Sequence, residues 1–196
     1  MVTVSTSKSY HHGDLRGALV EAGLRHLESG GEAEISLRQL AREVGVSATA
    51  VYRHFPDKKA LLAALADEGF ARLGLSQQQA SDAAGGGAEG FSETGRAYVR
   101  FALANPALFR LTFTHAGIGH DVRAEEDDAS RLLLQYARIF GGDNAQWLAL
   151  QAWAVAHGLA MLMLDGRVPP DDATIDAVID SATLFVRQGS KSEASP

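Results

Sequence analysis

Ser36-Leu37-Arg38-Gln39-Leu40-Ala41-Arg42-Glu43-Val44-Gly45-Val46-Ser47-Ala48-Thr49-Ala50-Val51-Tyr52-Arg53-His54-Phe55 is the stretch on which the fold turns. Apolar residues recur at three- and four-residue spacings on both sides of Gly45, so the stretch reads as two short helices, 37–44 and 48–54. Gly45 can take the left-handed conformation that a tight interhelical turn demands. Ser36 and Ser47 each precede a helix, where a hydroxyl can accept an orphan backbone N–H. With Leu37, Leu40, Ala41, Val44, Val46 and Val51 turned inward, Arg38, Thr49 and Tyr52 face outward. A helix-turn-helix of this kind enters the major groove of DNA by the N-terminal end of its second helix. Ser47, Ala48 and Thr49 are small enough there to permit close approach to base edges.

On the N-terminal side, a first helix is expected from about 13 to 28, with Leu15, Leu19, Ala22 and His26 along one face and Ser29-Gly30-Gly31 ending it. His26 reads as a core histidine with a hydrogen-bond partner, and Phe55 as a packing residue against this helix. A connecting helix is expected over 57–73, begun by Asp57, whose charge suits the positive helix end. From 74 to 90 the sequence turns to Gln, Ala, Ser and Gly, including Gly85-Gly86-Gly87, and reads as a mobile linker. Further helices are expected at 91–104, 106–113, 128–140, 144–164 and 172–187, broken at Asn105-Pro106, 115–127, Gly141-Gly142 and 166–170. Strand signals are sparse. The expected fold is therefore all-α: an N-terminal three-helix head over 13–56 and a C-terminal helical domain over 91–189, with a flexible arm at 1–12 and a disordered tail at 190–196.

A length of 196 residues with 46% hydrophobic content suffices for a buried core. The chain has no cysteine, which excludes disulfides, thiolate nucleophiles and zinc-thiolate sites and suits a reducing cytoplasm, the expected location. The polar first residues lack the apolar core of a signal peptide. Enzyme signatures are missing: there is no phosphate-cradling Gly loop, no Gly-x-Ser-x-Gly elbow, and no paired His around a Glu at metal spacing. No cofactor is expected. His115, His120, Asp121 and the run Glu125-Glu126-Asp127-Asp128 fit no zinc or calcium template, so no metal is expected either. The formal net charge is -6, which is unfavourable for phosphate neutralisation. Up to residue 60, however, eight Lys and Arg exceed seven Asp and Glu, while the remainder carries ten against seventeen. The acidity lies in the C-terminal part, and support for DNA binding rests on where the cations stand.

The sequence of a capping Ser, Leu-Arg-x-Leu-Ala, Gly-Val-Ser and then Val-Tyr-Arg-His-Phe-Pro-Asp-Lys-Lys-x-Leu-Leu, within residues 13 to 65, resembles the TetR/AcrR family of transcriptional repressors. The resemblance implies Arg38 and Thr49 near base edges, Tyr52, His54 and Lys58 on phosphates, and Ser36 or Ser47 adding backbone contacts; Ala48 sits with them at the groove-entering end. Lys58 also stands at a helix N-terminus, a natural place for a phosphate. Lys8, His11, His12 and Arg16 are candidates for further contacts from the arm or the start of the first helix.

Residues 144–164 carry no charge and place bulky apolar groups around the whole helix, which must be buried on several sides. Gln146, Gln151 and His157, the acidic flanks Asp143 and Asp165, and the lack of a neighbouring Lys or Arg cluster argue against a membrane span. The run Trp153-Ala-Val-Ala-His-Gly-Leu-Ala-Met-Leu-Met-Leu-Asp-Gly166 resembles the Trp-His-Gly signature of the C-terminal domain in one TetR branch. That resemblance implies a homodimer through the last two long helices, 144–164 and 172–187. Ala152, Ala156 and Ala160 are candidates for close helix approach in it. Tyr98, Phe101, Phe109, Phe113, Tyr136, Trp147, Trp153, His157 and Met161 are the candidate lining of a site for an apolar or aromatic effector. Only two or three of them are expected to touch a ligand. The function expected is ligand-responsive regulation at a palindromic operator on double-stranded DNA; the alternative is a helical small-molecule-binding or scaffold module without DNA binding.

Overall fold

The computed structural model describes residues 14–115 and 128–180, and every regular element among them is helical. The expected arm, most of the loop around His120, and the tail lie outside the described residues. The chain divides into two compact units between Leu61 and Leu62.

In the first unit, α1 (Leu15–Gly30) is capped by Asp14, whose Oδ1 accepts from the Gly17 N–H at 2.8 Å. It buries Leu19, Val20, Ala22, Leu24 and Leu27. A single 3-10 turn (Glu32–Glu34) leads to α2 (Leu37–Val44) and α3 (Ala48–His54). Leu37, Leu40, Ala41, Val51 and Phe55 are buried, with Val44 and Val46 half-buried. Gly45 between the helices is left-handed, φ 78° and ψ 30°, and the Val46 N–H closes on the Ala41 carbonyl at 2.9 Å. This glycine-terminated cap satisfies an orphan carbonyl and turns the chain sharply. Ser47 Oγ caps α3 by accepting from the Ala50 N–H at 3.2 Å. Ser36 differs from expectation: its hydroxyl makes no capping bond, and α2 starts instead on its carbonyl, which accepts from the N–H groups of Gln39 and Leu40.

The helix α4 (Lys58–Ala83) is 26 residues long and has its first turn in the first unit and the rest in the second. Asp57 Oδ1 accepts from the Ala60 N–H at 2.7 Å at its start. Residues 74–83, expected as part of a linker, continue this helix, and 87–90 open the next. The alanines and glutamines there are good helix formers, and two of the polar residues are interior. Gln77 Nε2 donates to the Thr94 carbonyl at 3.1 Å, and Ser81 hydrogen-bonds Tyr136. Only the turn through Gly85 and Gly86 breaks the helix, both at positive φ.

The second unit continues with α5 (Gly87–Ala104), α6 (Pro106–His115), α7 (Asp128–Gly141), α8 (Ala145–Leu164) and α9 (Asp172–Val178). The expected helix at 172–187 ends early: α9 stops at Val178, where the Ile179 N–H closes on the Ile175 carbonyl and Ile179 itself leaves helical geometry at φ -92° and ψ 77°; residues beyond 180 lie outside the described ones. The helical stretch from Asp128 to Leu164 is long and apolar enough to cross a membrane by length and composition. It is nevertheless two helices: the chain reverses at Gly142, φ 50°, and α7 packs on α8 through Leu134, Ala137, Leu148 and Ala149. α8 also packs along α5.

Candidate nucleic-acid interface and aromatic core

α2 and α3 set the first candidate site. Arg38 is exposed on α2, and Ser47, Ala48, Thr49, Tyr52 and His54 are exposed on and just before α3. Tyr52 is 42% exposed although it neighbours the fully buried Val51, so its ring is presented rather than packed away. Phe55 is buried under the guanidinium of Arg16, which lies 5.5 Å from the ring centroid, so it packs with α1 as expected. Lys58 is only half-exposed, and its Nζ donates to the Glu32 carbonyl at 2.6 Å. One of its three donors is thus spent on holding the 3-10 turn.

The sequence reading missed Glu43. Its Oε1 accepts from Arg25 at 2.7 Å and its Oε2 lies 2.6 Å from His26 Nε2, so one carboxylate ties α2 to α1. The hydrogen bond from Arg25 first, and then that from His26, hold the Glu43 carboxyl below its usual pKa. His26 has the partner expected of a core histidine. Arg42 and Arg53 are exposed on α2 and α3.

The second unit sorts the nine aromatic and flexible candidates into distinct places. Tyr98 of α5, Phe109 and Phe113 of α6, and Trp153 and His157 of α8 form one cluster. Phe113 is 4.9 Å from Phe109 and 4.9 Å from His157 between centroids; Trp153 is 5.4 Å from His157 and Tyr98 is 5.5 Å from Phe109. Trp153 Nε1 donates to the Tyr98 hydroxyl at 3.2 Å, and that hydroxyl lies 2.8 Å from His157 Nδ1. Burial lowers the pKa of the His157 imidazole, favouring the neutral ring. Phe70 of α4 reaches the same cluster, edge-on to Phe113 at 5.4 Å. Beside that contact, a Cβ at Gly69 would collide with Thr112 Oγ1 of α6, so only glycine lets the two helices approach this closely.

Tyr136 belongs elsewhere, stacked on Phe91 at 5.4 Å and on Phe140 at 6.1 Å. Phe101 is buried in the core, Met161 is half-buried, and Trp147 is 62% exposed, so the structure does not gather these three into the cluster. Trp147 shares an outward face of α8 with Gln151, Ala154, Gly158 and Leu162, and a Cβ at Gly158 would meet nothing. Ala156 and Ala160, expected to face a partner helix, are instead buried inside the unit at 5% and 0% exposure.

A helix-turn-helix head with an exposed reading helix, joined by one long helix to an α-helical domain with an aromatic interior, defines a two-domain helical regulator. Residues 19–65 match the bacterial regulatory proteins of the tetR family, and residues 91–185 match the tetracyclin repressor-like C-terminal domain. This chain belongs to the TetR family. Among solved structures, a protein of unknown function from Rhodococcus sp. RHA1 is 36% identical, with a TM-score of 0.74 over 92% of this chain and 98% of that one. A TetR family transcription regulator from Marinobacter aquaeolei VT8 shares the fold at 20% identity and TM-score 0.65, over 87% and 93% of the two chains. So does a TetR variant from Acinetobacter baumannii AYE in complex with minocycline, at 19% identity and TM-score 0.58, over 92% and 98%. The family consists of non-enzymatic, ligand-responsive regulators that bind operator DNA as dimers.

Proposed function

We propose that this protein is a repressor, held on a palindromic operator as a homodimer and released by a small apolar or aromatic effector. The observation that carries the reading is the joint exposure of Arg38, Thr49, Tyr52 and His54 around the start of α3. Thr49 and Arg38 read base edges, with Ser47 and Ala48 allowing close approach; Tyr52, His54 and Lys58 hold phosphates, and Ser36 adds its uncapped hydroxyl. The outward face of α8, from Trp147 to Leu162, together with α9, forms the dimer contact. Its apolar groups Trp147 and Leu162 are left exposed by the described residues. Tyr98, Phe109, Phe113, Trp153 and His157 form the effector end.

Release works through α4. An effector that displaces α6 at Phe113 presses on Phe70 and Gly69, and α4 carries the displacement toward Lys58 and Leu61. Two heads must meet half-sites about one helical turn, ~34 Å, apart, so a small change in their spacing breaks simultaneous contact. Selection of bound fragments from a random DNA pool tests the proposal. A two-fold symmetric site with that spacing is the expected product, and a pool with no enriched sequence would leave the helical binding-module alternative standing.

A further inference from the structure

The hydrogen-bonded series Trp153, Tyr98, His157 has a direction. An indole N–H donates and never accepts, so the Tyr98 oxygen is the acceptor of the 3.2 Å contact. A hydroxyl that accepts on one side and donates on the other is polarised the same way by both bonds, which strengthens each. Cooperativity therefore favours Tyr98 O–H as the donor and Nδ1 as the acceptor of the 2.8 Å contact. A neutral imidazole that accepts at Nδ1 carries its proton on Nε2. That second ring nitrogen has no hydrogen-bond partner among the described residues. His157 and its neighbours Phe113 and Trp153 are each only partly buried.

Among the described residues, the cations of α5 and α6 are paired elsewhere. α8 has no ionisable residue except His157. Arg100 of α5 pairs outward with Asp172 at 2.9 Å, and Arg110 of α6 with Asp165 at 2.5 Å. An ionic ligand placed among Phe109, Phe113 and Trp153 would be desolvated without a free counter-charge from the described residues of α5, α6 or α8. An uncharged ring with one acceptor would fit: its face lies on the aromatic groups and its oxygen takes the remaining imidazole proton.

We propose that the Trp153–Tyr98 pair fixes His157 as the Nε2–H tautomer, and that His157 thereby selects uncharged aromatic effectors bearing a hydrogen-bond acceptor of the ketone or ester class. The proposal rests on the reading of the second unit as the effector domain. It gives His157 a single donor, Tyr98 and Trp153 a positioning role, and excludes aromatic amines and carboxylates as preferred ligands.

The experiment is nitrogen NMR of full-length protein labelled in histidine, with His157→Asn used to assign the resonance. The free protein should show Nε2 protonated and Nδ1 bare at neutral pH, and Tyr98→Phe should mix the two tautomers. If that variant does not fold, Trp153→Phe should mix them instead. Acetylnaphthalene should then shift the His157 Nε2 signal, binding roughly tenfold tighter than ethylnaphthalene, which has the same shape and no acceptor. A proton on Nδ1, an Nε2 signal unmoved by the ketone at its solubility limit, or equal binding of the two compounds would overturn the proposal. Operator binding is read separately by gel shift. Operator release by a compound that leaves Nε2 unmoved counts against the anchor alone. A ketone that moves Nε2 without releasing operator supports the anchor and counts against the release reading.

Discussion

Under the proposed function Arg38 and Lys58 make two kinds of contact, and their loss should read out differently. Arg38→Ala should cost about 1–3 kcal/mol on operator DNA and relax the preference at particular base pairs. Lys58→Ala should weaken all sequences alike and lower the salt slope by about one counterion. Binding measured across salt and operator variants checks both, and equal losses on random and operator DNA for Arg38→Ala would end its base-reading role. Glu43 makes a pH prediction. Its carboxyl pKa is depressed in the folded protein by Arg25 and His26, so its contribution is complete above the ordinary value of 4.5 and disappears as pH falls through the lower folded value. Glu43→Gln should therefore melt lower than the wild type at neutral pH and together with it in acid. The gap is under about 1 kcal/mol, because the pair is partly exposed. At this scale, legibility follows distance along the chain. Gly45 and Ser47 announce themselves because caps and turns are local. The bond from His26 to Glu43 joins residues 17 positions apart on two helices, and no spacing rule marks it.

Helix α4 ties the proposed effector end to the head, and its glycine at 69 is the most specific test of that role. Gly69→Ala should press on Thr112 and destabilise the second unit by about 1–3 kcal/mol, as overpacking does. Adding Thr112→Ala removes the obstructing Oγ1, whose own bond is only to the Leu108 carbonyl one turn back. The double variant should recover most of the loss in thermal melting; failure to recover would place the strain elsewhere. The same helix shows where element reading went astray. Residues 74–83 looked like linker because their side chains are small or polar. Gln77 and Ser81 are polar because they meet a carbonyl and a tyrosine hydroxyl inside the unit, and a binary pattern counts such positions as surface. The reverse error made an alanine stripe of α8 into a partner face. Ala156 and Ala160 face inward, since an uncharged helix gives no polar side from which to judge its rotation.

For the whole molecule, the exposed face of α8 predicts association. Trp147→Glu with Leu162→Glu should leave the second unit folded, because neither side chain is in its core, and should yield monomers in sedimentation. Operator affinity should drop at least tenfold, because each head alone meets one half-site. A double variant that stays dimeric would move the contact off α8. The all-helical class was legible in the apolar spacing along the chain, and the family in residues 36–55 and the Trp-His-Gly run. The sorting of aromatic residues into two clusters was not, because helical spacing fixes a face but not its neighbour. Finally, the bond that holds Arg25 to Glu43 also bears on how the protein finds its site. It is one of the pairings that leave the head a surplus of only a single charge over its first 60 residues. Such a head gains little from counterion release on random sequence. Bulk chromosome is then a weak competitor, most molecules remain free to search, and modest protein copy numbers are expected to keep an operator occupied.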